Sequence, residues 1–295
     1  MNTLITALAT PYVNGEIDTY SYEKLVAFQL ENGVDALLAV GTTAESQLLD
    51  LCEKKLLVKI TKRMAGNTPV FVGVDGRGTY EATLNATVAE EWGADGLLVA
   101  PPSFVKCTPE GYLKHVEAIS QAVNIPLMLY NAPSRCNYIL DKDVVKQLAK
   151  VATYLKDAGS DLDYTADLAK HLKVLCGNDF LLPHMLNSGA VGVVSVVSNL
   201  APNLTREVLN RNEQFPCQQC DKNTKQDGSD DEKVTLFKTL AQMSMLEVSP
   251  IAIKYMLYKK GIFNSYEMRL PLTSAKENTR IRIDKMWEEN NDLLN

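Results

Sequence analysis

Four residues that could act together on a carbonyl compound stand close to the ends of apolar runs in this sequence. Lys156 lies within "ATYLKDA", Tyr130 within "PLMLYNAP", and Thr42 and Thr43 follow "DALLAVG". Burial at a strand end disfavours the charged form of a lysine, and a neutral amine attacks ketone carbon to form a Schiff base. A phenol can carry the protons that this addition requires. Taken alone, such a lysine is more often a side chain that extends to water.

Two groups, the threonine pair and one arginine, could hold carboxylates. Thr42 and Thr43 precede a helix that we expect to begin near Glu45, and hydroxyls with free backbone N–H groups at a helix start suit an anion. Simple N-capping is the alternative for both threonines. Arg135, five residues after Tyr130, could clamp a second carboxylate through two hydrogen bonds, or could be an ordinary surface arginine. Together these residues predict a keto acid as substrate.

Eight short apolar runs alternate with segments of helical period and would position these side chains. Most of the runs are apolar on both faces, which is typical of buried parallel strands. A strand followed by a helix, repeated eight times, predicts a (β/α)8 TIM barrel, whose chemistry lies at the carboxyl ends of its strands. An open doubly wound sheet is less favoured because no G-x-G-x-x-G follows the first strand. The predicted strands are 4–11, 35–41, 69–74, 95–102, 126–133, 152–158, 172–178 and 192–200.

Three regions follow from the pattern along the 295 residues. Residues 1–210 form the predicted barrel. Residues 211–233 are polar, with few large apolar side chains, and predict an insertion loop. Residues 234–295 return to helical period and predict a C-terminal helical appendix.

Composition excludes several function classes. The net charge of −6, without a basic block, argues against nucleic acid as a partner. No apolar run has the length of a membrane span, and the first residues lack the basic region of a signal peptide. Of the six scattered cysteines, only Cys217 and Cys220 form a C-x-x-C pair, and no second pair completes a zinc site. We therefore expect a cytoplasmic chain with no metal.

Five motifs, in the expected order at the predicted strand ends, carry a family resemblance. The sequence resembles the dihydrodipicolinate synthase / N-acetylneuraminate lyase family from about residue 3 to residue 285. Within that family it is most similar to the branch that condenses pyruvate with L-aspartate 4-semialdehyde to 4-hydroxy-tetrahydrodipicolinate, in lysine and diaminopimelate biosynthesis. The motifs are "GTTAES", "YNAPSR", "LKDAGSD", "GNDFLLPHMLNSGAVGVVSVVSNLAP" and "PIAIKYMLYKKG" with "RLPL".

The resemblance implies a role for each candidate residue. Lys156 matches the lysine that forms an imine with pyruvate. Tyr130 matches the tyrosine that relays protons, and Thr42 matches the threonine hydrogen-bonded to it. Thr43 matches the residue that holds the pyruvate carboxylate, and Arg135 the arginine that helps to place the carboxylate of the semialdehyde.

The resemblance also implies the remainder of the site and its partners. Gly177 and Val194 match positions that line the pyruvate pocket. The family needs no metal or organic cofactor, because the protonated imine on the lysine draws electrons from the substrate. Its members are usually homotetramers built from dimers, so the expected partners are two small substrates and further copies of this chain, as a homotetramer or homodimer.

Two departures from the family pattern leave alternatives open. Phe104 stands in place of a tyrosine that crosses a subunit interface to complete the proton relay, and Ala44 replaces a glycine, which strains the turn if that position has positive φ. One alternative is a related pyruvate-dependent lyase acting on a sialic acid or keto-deoxy sugar acid. The other is a pyruvate-binding regulatory homologue with little turnover.

Overall fold

The strands fall close to the predicted positions. The computed structural model describes residues 2–102, 104–136, 138–211 and 232–290, so that most of the predicted insertion 211–233 lies outside the described residues. The strands are β1 Thr3–Ala7, β2 Tyr12–Val13, β3 Glu16–Ile17, β4 Ala36–Ala39, β5 Val70–Val74, β6 Gly96–Val99, β7 Leu127–Asn131, β8 Tyr154–Asp157, β9 Lys173–Cys176 and β10 Gly192–Ser195.

Eight of these strands close into a barrel in the order β1-β10-β9-β8-β7-β6-β5-β4, and every pairing in it is parallel. The prediction of a (β/α)8 TIM barrel with a C-terminal helical region is confirmed. The hairpin of β2 and β3 between β1 and the first helix was not predicted. Its turn uses Asn14 and Gly15, both with positive φ, and strands of two residues are too short to give a periodic signal.

Helices follow the strands and cover the outside of the barrel. Those of the barrel are α1 Thr19–Glu31, α2 Leu51–Ala65, α3 Thr79–Glu91, α4 Pro109–Ala122, α5 Pro133–Cys136, α6 Lys142–Leu148, α7 Leu162–Leu168, α8 Leu182–Asn187 and α9 Pro202–Asn210. The C-terminal helices are α10 Glu232–Ser244, α11 Ile251–Lys259 and α12 Glu277–Glu289. None of the helices in the described ranges is long and apolar enough to span a bilayer.

Alternation along the strands divides the apolar side chains into two cores. One core fills the barrel interior and includes Ile5, Leu38, Phe71 and Met128. The larger core lies between the strands and the surrounding helices. Because successive residues of a strand point to opposite faces, a residue in the interior core has neighbours in sequence that face the helices.

The segment after β4 differs from the prediction. We expected a helix from about Glu45, but α2 begins at Leu51, where Asp50 and Glu53 form a capping box. Thr42 and Thr43 instead lie in a 3-10 turn, Thr42–Ala44. The reason is Glu45, whose left-handed backbone (φ 58°, ψ 37°) ends this turn and starts a second one, Ser46–Leu48.

The expected strain at Ala44 depends on its φ angle, and the positive φ in this turn belongs to Glu45. Ala44 is buried, and its carbonyl accepts a hydrogen bond from Thr10 Oγ1 at 3.0 Å. Ala44 itself does not have a positive φ, so alanine in place of the usual glycine causes no backbone strain of this kind.

Replacement of Gly192 by alanine tests the close packing of β1 against β10. A Cβ at this position would overlap the carbonyl oxygen of Thr3 and lie 2.9 Å from a methyl group of Leu175. We expect Gly192→Ala to lower the free energy of unfolding by about 1–3 kcal/mol, as overpacking does, measured by urea denaturation. Gly78→Ala is the control, because nothing lies within 4 Å of its Cβ position. Equal stability of the two variants would contradict this packing.

Candidate functional site

Lys156 lies inside the barrel beside Tyr130. The two residues are opposite each other in the register of β8 and β7, and Lys156 Nζ is 4.7 Å from the centre of the Tyr130 ring. Lys156 is 5% exposed and Tyr130 is 6% exposed. Among the described residues no carboxylate oxygen lies within 4 Å of this amine. The structure thus brings together the two residues that the sequence singled out first, at the carboxyl ends of adjacent strands.

A hydrogen-bond network on the other face of β8 fixes the direction of Lys156. Asp157 Oδ1 accepts hydrogen bonds from Asn131 Nδ2 at 2.8 Å and from the Gly159 amide at 2.9 Å, and its Oδ2 accepts from Thr165 Oγ1 at 2.8 Å. With Asp157 held outward, strand alternation turns Lys156 inward. Sequence reasoning missed this network, although the adjacent Lys and Asp of "LKDAGSD" were the available signal.

Thr42 and Tyr130 line the same open cavity. Ser46 and Asp75 lie at the same cavity, and Ser46 Oγ is 3.5 Å from the Asp75 carboxylate. Thr43 is buried, whereas Thr42 is partly exposed. Thr42 therefore borders the same cavity as Tyr130, although its turn is not the helix start that we expected.

Gly177 and Val194 stand on the other side of Lys156. Gly177 follows β9 and donates its amide hydrogen to the carbonyl of Asp157 at 2.7 Å. A Cβ there would lie 3.0 Å from Cβ of Ala158, so only glycine fits without a shift of the neighbour. Val194 is 1% exposed and belongs to the interior core. Gly177 thus follows the strand next to that of the lysine, and Val194 lies in β10, one strand further around the barrel.

Arg135 is placed differently from the other candidates. It lies in the short helix α5 after β7, is exposed, and donates a hydrogen bond from its guanidinium to the carbonyl of Ser249 at 3.1 Å. The structure thus positions Arg135 at the rim of the barrel, against the C-terminal region.

Phe104 is fully exposed on this chain, in the loop after β6, and has a φ of 67°. A bulky residue in this region of φ is a genuine conformational outlier. Its ring therefore lies on the surface, outside the cavity that Tyr130 lines.

Asp179 is a buried carboxylate that sequence reasoning did not single out. It begins the 3-10 turn Asp179–Leu181 after β9, and its Oδ2 accepts hydrogen bonds from the amides of Val196 and Val197 at 2.8 and 3.0 Å. Its Oδ1 has no partner among the described residues. Burial raises the pKa of Asp179, and the charge of Lys156 is one of the influences that oppose this shift. The signal in the sequence was "GND", directly after a predicted strand.

The comparisons with known proteins agree on one family. A family model described as the Dihydrodipicolinate synthetase family matches residues 1–290. A protein of Rickettsia typhi named 4-hydroxy-tetrahydrodipicolinate synthase is 34% identical over 294 residues, covering 96% of this chain and 95% of its own length. One of the same name from Fervidobacterium nodosum is 35% identical over 297 residues, with 96% of both chains covered.

Solved structures give the same result over nearly the whole chain. The dihydrodipicolinate synthase of Thermotoga maritima superposes with a TM-score of 0.89 at 32% identity, covering 99% of both chains. The chloride-inhibited dihydrodipicolinate synthase of Acinetobacter baumannii, complexed with pyruvate, has a TM-score of 0.89 at 29% identity and covers 98% of this chain and 99% of its own. With the barrel, the family model and these relatives in agreement, the chain belongs to the dihydrodipicolinate synthetase family.

Proposed function

We propose that the chain condenses pyruvate with L-aspartate 4-semialdehyde to 4-hydroxy-tetrahydrodipicolinate, through a Schiff base on Lys156. The observation that carries this proposal is the buried amine of Lys156, 4.7 Å from the ring of Tyr130 in the barrel interior. The names of the relatives support the choice of reaction, and the pyruvate in the Acinetobacter baumannii structure supports the choice of first substrate.

The first half of the reaction joins pyruvate to the protein. The amine of Lys156 attacks the ketone carbon of pyruvate and forms a carbinolamine, and loss of water then gives a protonated imine. Tyr130 delivers and removes the protons of these steps, with Thr42 as its neighbour at the cavity. Loss of a proton from the pyruvate methyl group gives the enamine.

The second half makes the carbon–carbon bond. The enamine carbon attacks the aldehyde carbon of the semialdehyde, and the aldehyde oxygen takes a proton. The amino group of the former semialdehyde then attacks the imine carbon, which closes the ring and releases Lys156. The protonated imine draws electrons during these steps, so the proposed reaction needs no metal or organic cofactor.

The remaining residues hold the substrates. Thr43, Gly177 and Val194 surround pyruvate, with Thr43 at its carboxylate. Arg135 receives the carboxylate of the semialdehyde at the rim, after its guanidinium leaves the carbonyl of Ser249. The scattered cysteines favour a reducing cytoplasm as the place of this reaction.

Replacing the amine tests the Schiff base. We expect sodium borohydride with pyruvate to fix a covalent adduct on Lys156, detected by mass spectrometry of peptides. Lys156→Ala should give no adduct and lower kcat/KM by roughly 10³-fold or more, since the nucleophile is lost. Lys170→Ala, which removes an exposed lysine, is the control. Full activity in Lys156→Ala would refute the mechanism, and faster turnover of a sialic or keto-deoxy sugar acid would refute the second substrate.

Substitutions of Phe104 test whether a hydroxyl group at this position contributes to proton transfer. We expect Phe104→Tyr to raise kcat by about three- to tenfold, because in the proposed assembly a phenol that crosses the subunit interface would transfer protons better than water alone. Phe104→Leu, which also lacks a hydroxyl group, should give no increase. A steady-state assay with both substrates measures the effect. An equal kcat in all three proteins would show that no relay through this position limits the rate.

A homodimer or homotetramer is the expected assembly, and the described surface offers apolar side chains for it. Leu51, Tyr80 and Phe104 are exposed by 54%, 86% and 108%, and they follow the carboxyl ends of the consecutive strands β4, β5 and β6. Strand ends of this kind lie on one rim of a barrel. A second copy of the chain that covers this rim would bury all three.

Sedimentation equilibrium tests the assembly. We expect the chain to sediment as a dimer or tetramer, and Tyr80→Glu to shift the equilibrium toward the monomer because a charge is placed in an apolar contact. Val151→Glu is the control, since Val151 is 39% exposed before β8, at the opposite end of the barrel. A monomer at all concentrations would contradict the proposed assembly.

A further inference from the structure

A fully buried ion pair joins the turn after β4 to the C-terminal region. Lys254 Nζ of α11 lies 2.7 Å from Glu45 Oε1, and neither side chain is exposed. The amine also lies 4.3 Å from the centre of the Tyr12 ring. Glu45 directly follows the 3-10 turn that carries Thr42 and Thr43. The pair is therefore connected directly to the turn that carries the two candidate threonines.

Stability does not account for this pair. Removing two charges from water costs more than their attraction returns unless every remaining atom is hydrogen-bonded. Glu45 Oε2 has no partner within the described part of the chain. Burial raises the pKa of Glu45 and lowers that of Lys254 to about 8, and both directions reflect the cost of holding these charges away from water.

The backbone conformation of Glu45 indicates that the ion pair with Lys254 fixes the turn next to it. A residue other than glycine with φ 58° persists only where its surroundings fix it. The Glu45 amide donates to the carbonyl of Thr42 at 3.0 Å, and the Ser46 amide donates to the carbonyl of Gly41 at 3.3 Å. A shift of the Glu45 side chain would therefore move the turn of the two threonines.

Arg269 supports the far end of the same segment. Its guanidinium donates to the carbonyl of Leu48 at 3.2 Å and to Glu53 Oε2 at 2.8 Å, and it lies 4.5 Å from the centre of the Tyr12 ring. Lys254 and Arg269, both from the C-terminal region, thus hold the two ends of the segment 45–48.

We propose that Glu45 and Lys254 are positioning residues for pyruvate, through which the C-terminal region sets the geometry of the Thr42–Ala44 turn. This inference rests on the proposed function, since Thr43 holds the pyruvate carboxylate there. Binding of the pyruvate carboxylate contributes equally to the ground state and to the transition state. A misplaced turn therefore raises the pyruvate KM. Because the same turn carries Thr42 beside Tyr130, kcat falls as well, but by less than KM rises.

Lys254→Met is the first test, with Lys259→Met on the same helix as its matched control. Lys259 pairs with Asp284 on α12 instead of the turn. We expect Lys254→Met to raise the pyruvate concentration for half-maximal borohydride adduct, and the pyruvate KM, by about tenfold or more, with a smaller fall in kcat. The control should stay within about twofold of wild type. An unchanged pyruvate requirement in Lys254→Met would overturn the inference.

The double variant Glu45→Gln/Lys254→Met separates positioning from stability and serves if the single variant does not fold. Removing both charges avoids an unpaired buried carboxylate, so we expect its Tm to exceed that of Lys254→Met. Its pyruvate requirement should remain raised, because the turn has lost its anchor. A pyruvate requirement equal to that of wild type would overturn the inference.

The adduct assay distinguishes failure of the proposed function from failure of the positioning role. A wild-type chain that forms no adduct with pyruvate would refute the Schiff base and this inference with it. A wild-type adduct with an unchanged requirement in the variants would refute the positioning role alone.

Discussion

The register between β7 and β8 is the constraint on which the site depends. It sets Tyr130 opposite Lys156 on the inner face, and a slip of β8 by one residue would turn Lys156 toward the helices. The hydrogen bonds of Asp157 to Asn131 and Thr165 oppose such a slip, because a buried carboxylate that lost these partners would be strongly destabilised. The polar groups outside the barrel thus specify the orientation of the reactive group inside it.

The sequence predicted well those features that arise from alternation. Parallel strands apolar on both faces gave the barrel, and the carboxyl ends of the strands directed attention to Lys156 and Tyr130. Gly177 and Val194 came from the family resemblance. The prediction of the barrel succeeded because a buried parallel strand appears in the sequence as a run of consecutive apolar residues. The proximity of the lysine to the tyrosine then followed from closure of the sheet.

The predictions that failed concern backbone and contacts between distant segments. The helix expected near Glu45 was wrong because a left-handed residue and the capping box of Asp50 and Glu53 move the helix start to Leu51. Neither the hydrogen bond of Arg135 to Ser249 nor the ion pair of Glu45 with Lys254 could be read from the sequence. Their partners are 114 and 209 residues apart, and no local pattern links them.

That separation of 209 residues has a consequence for synthesis of the chain. A ribosome completes the barrel strands before Lys254 is made, and chains generally fold from the N-terminal part first. During that interval Glu45 lacks its cationic partner, and burial of its unpaired charge is unfavourable. The buried pair behind the Thr42–Ala44 turn therefore forms only after α11 is made, and a chain that terminates before α11 contains every barrel strand but no cation to pair with Glu45.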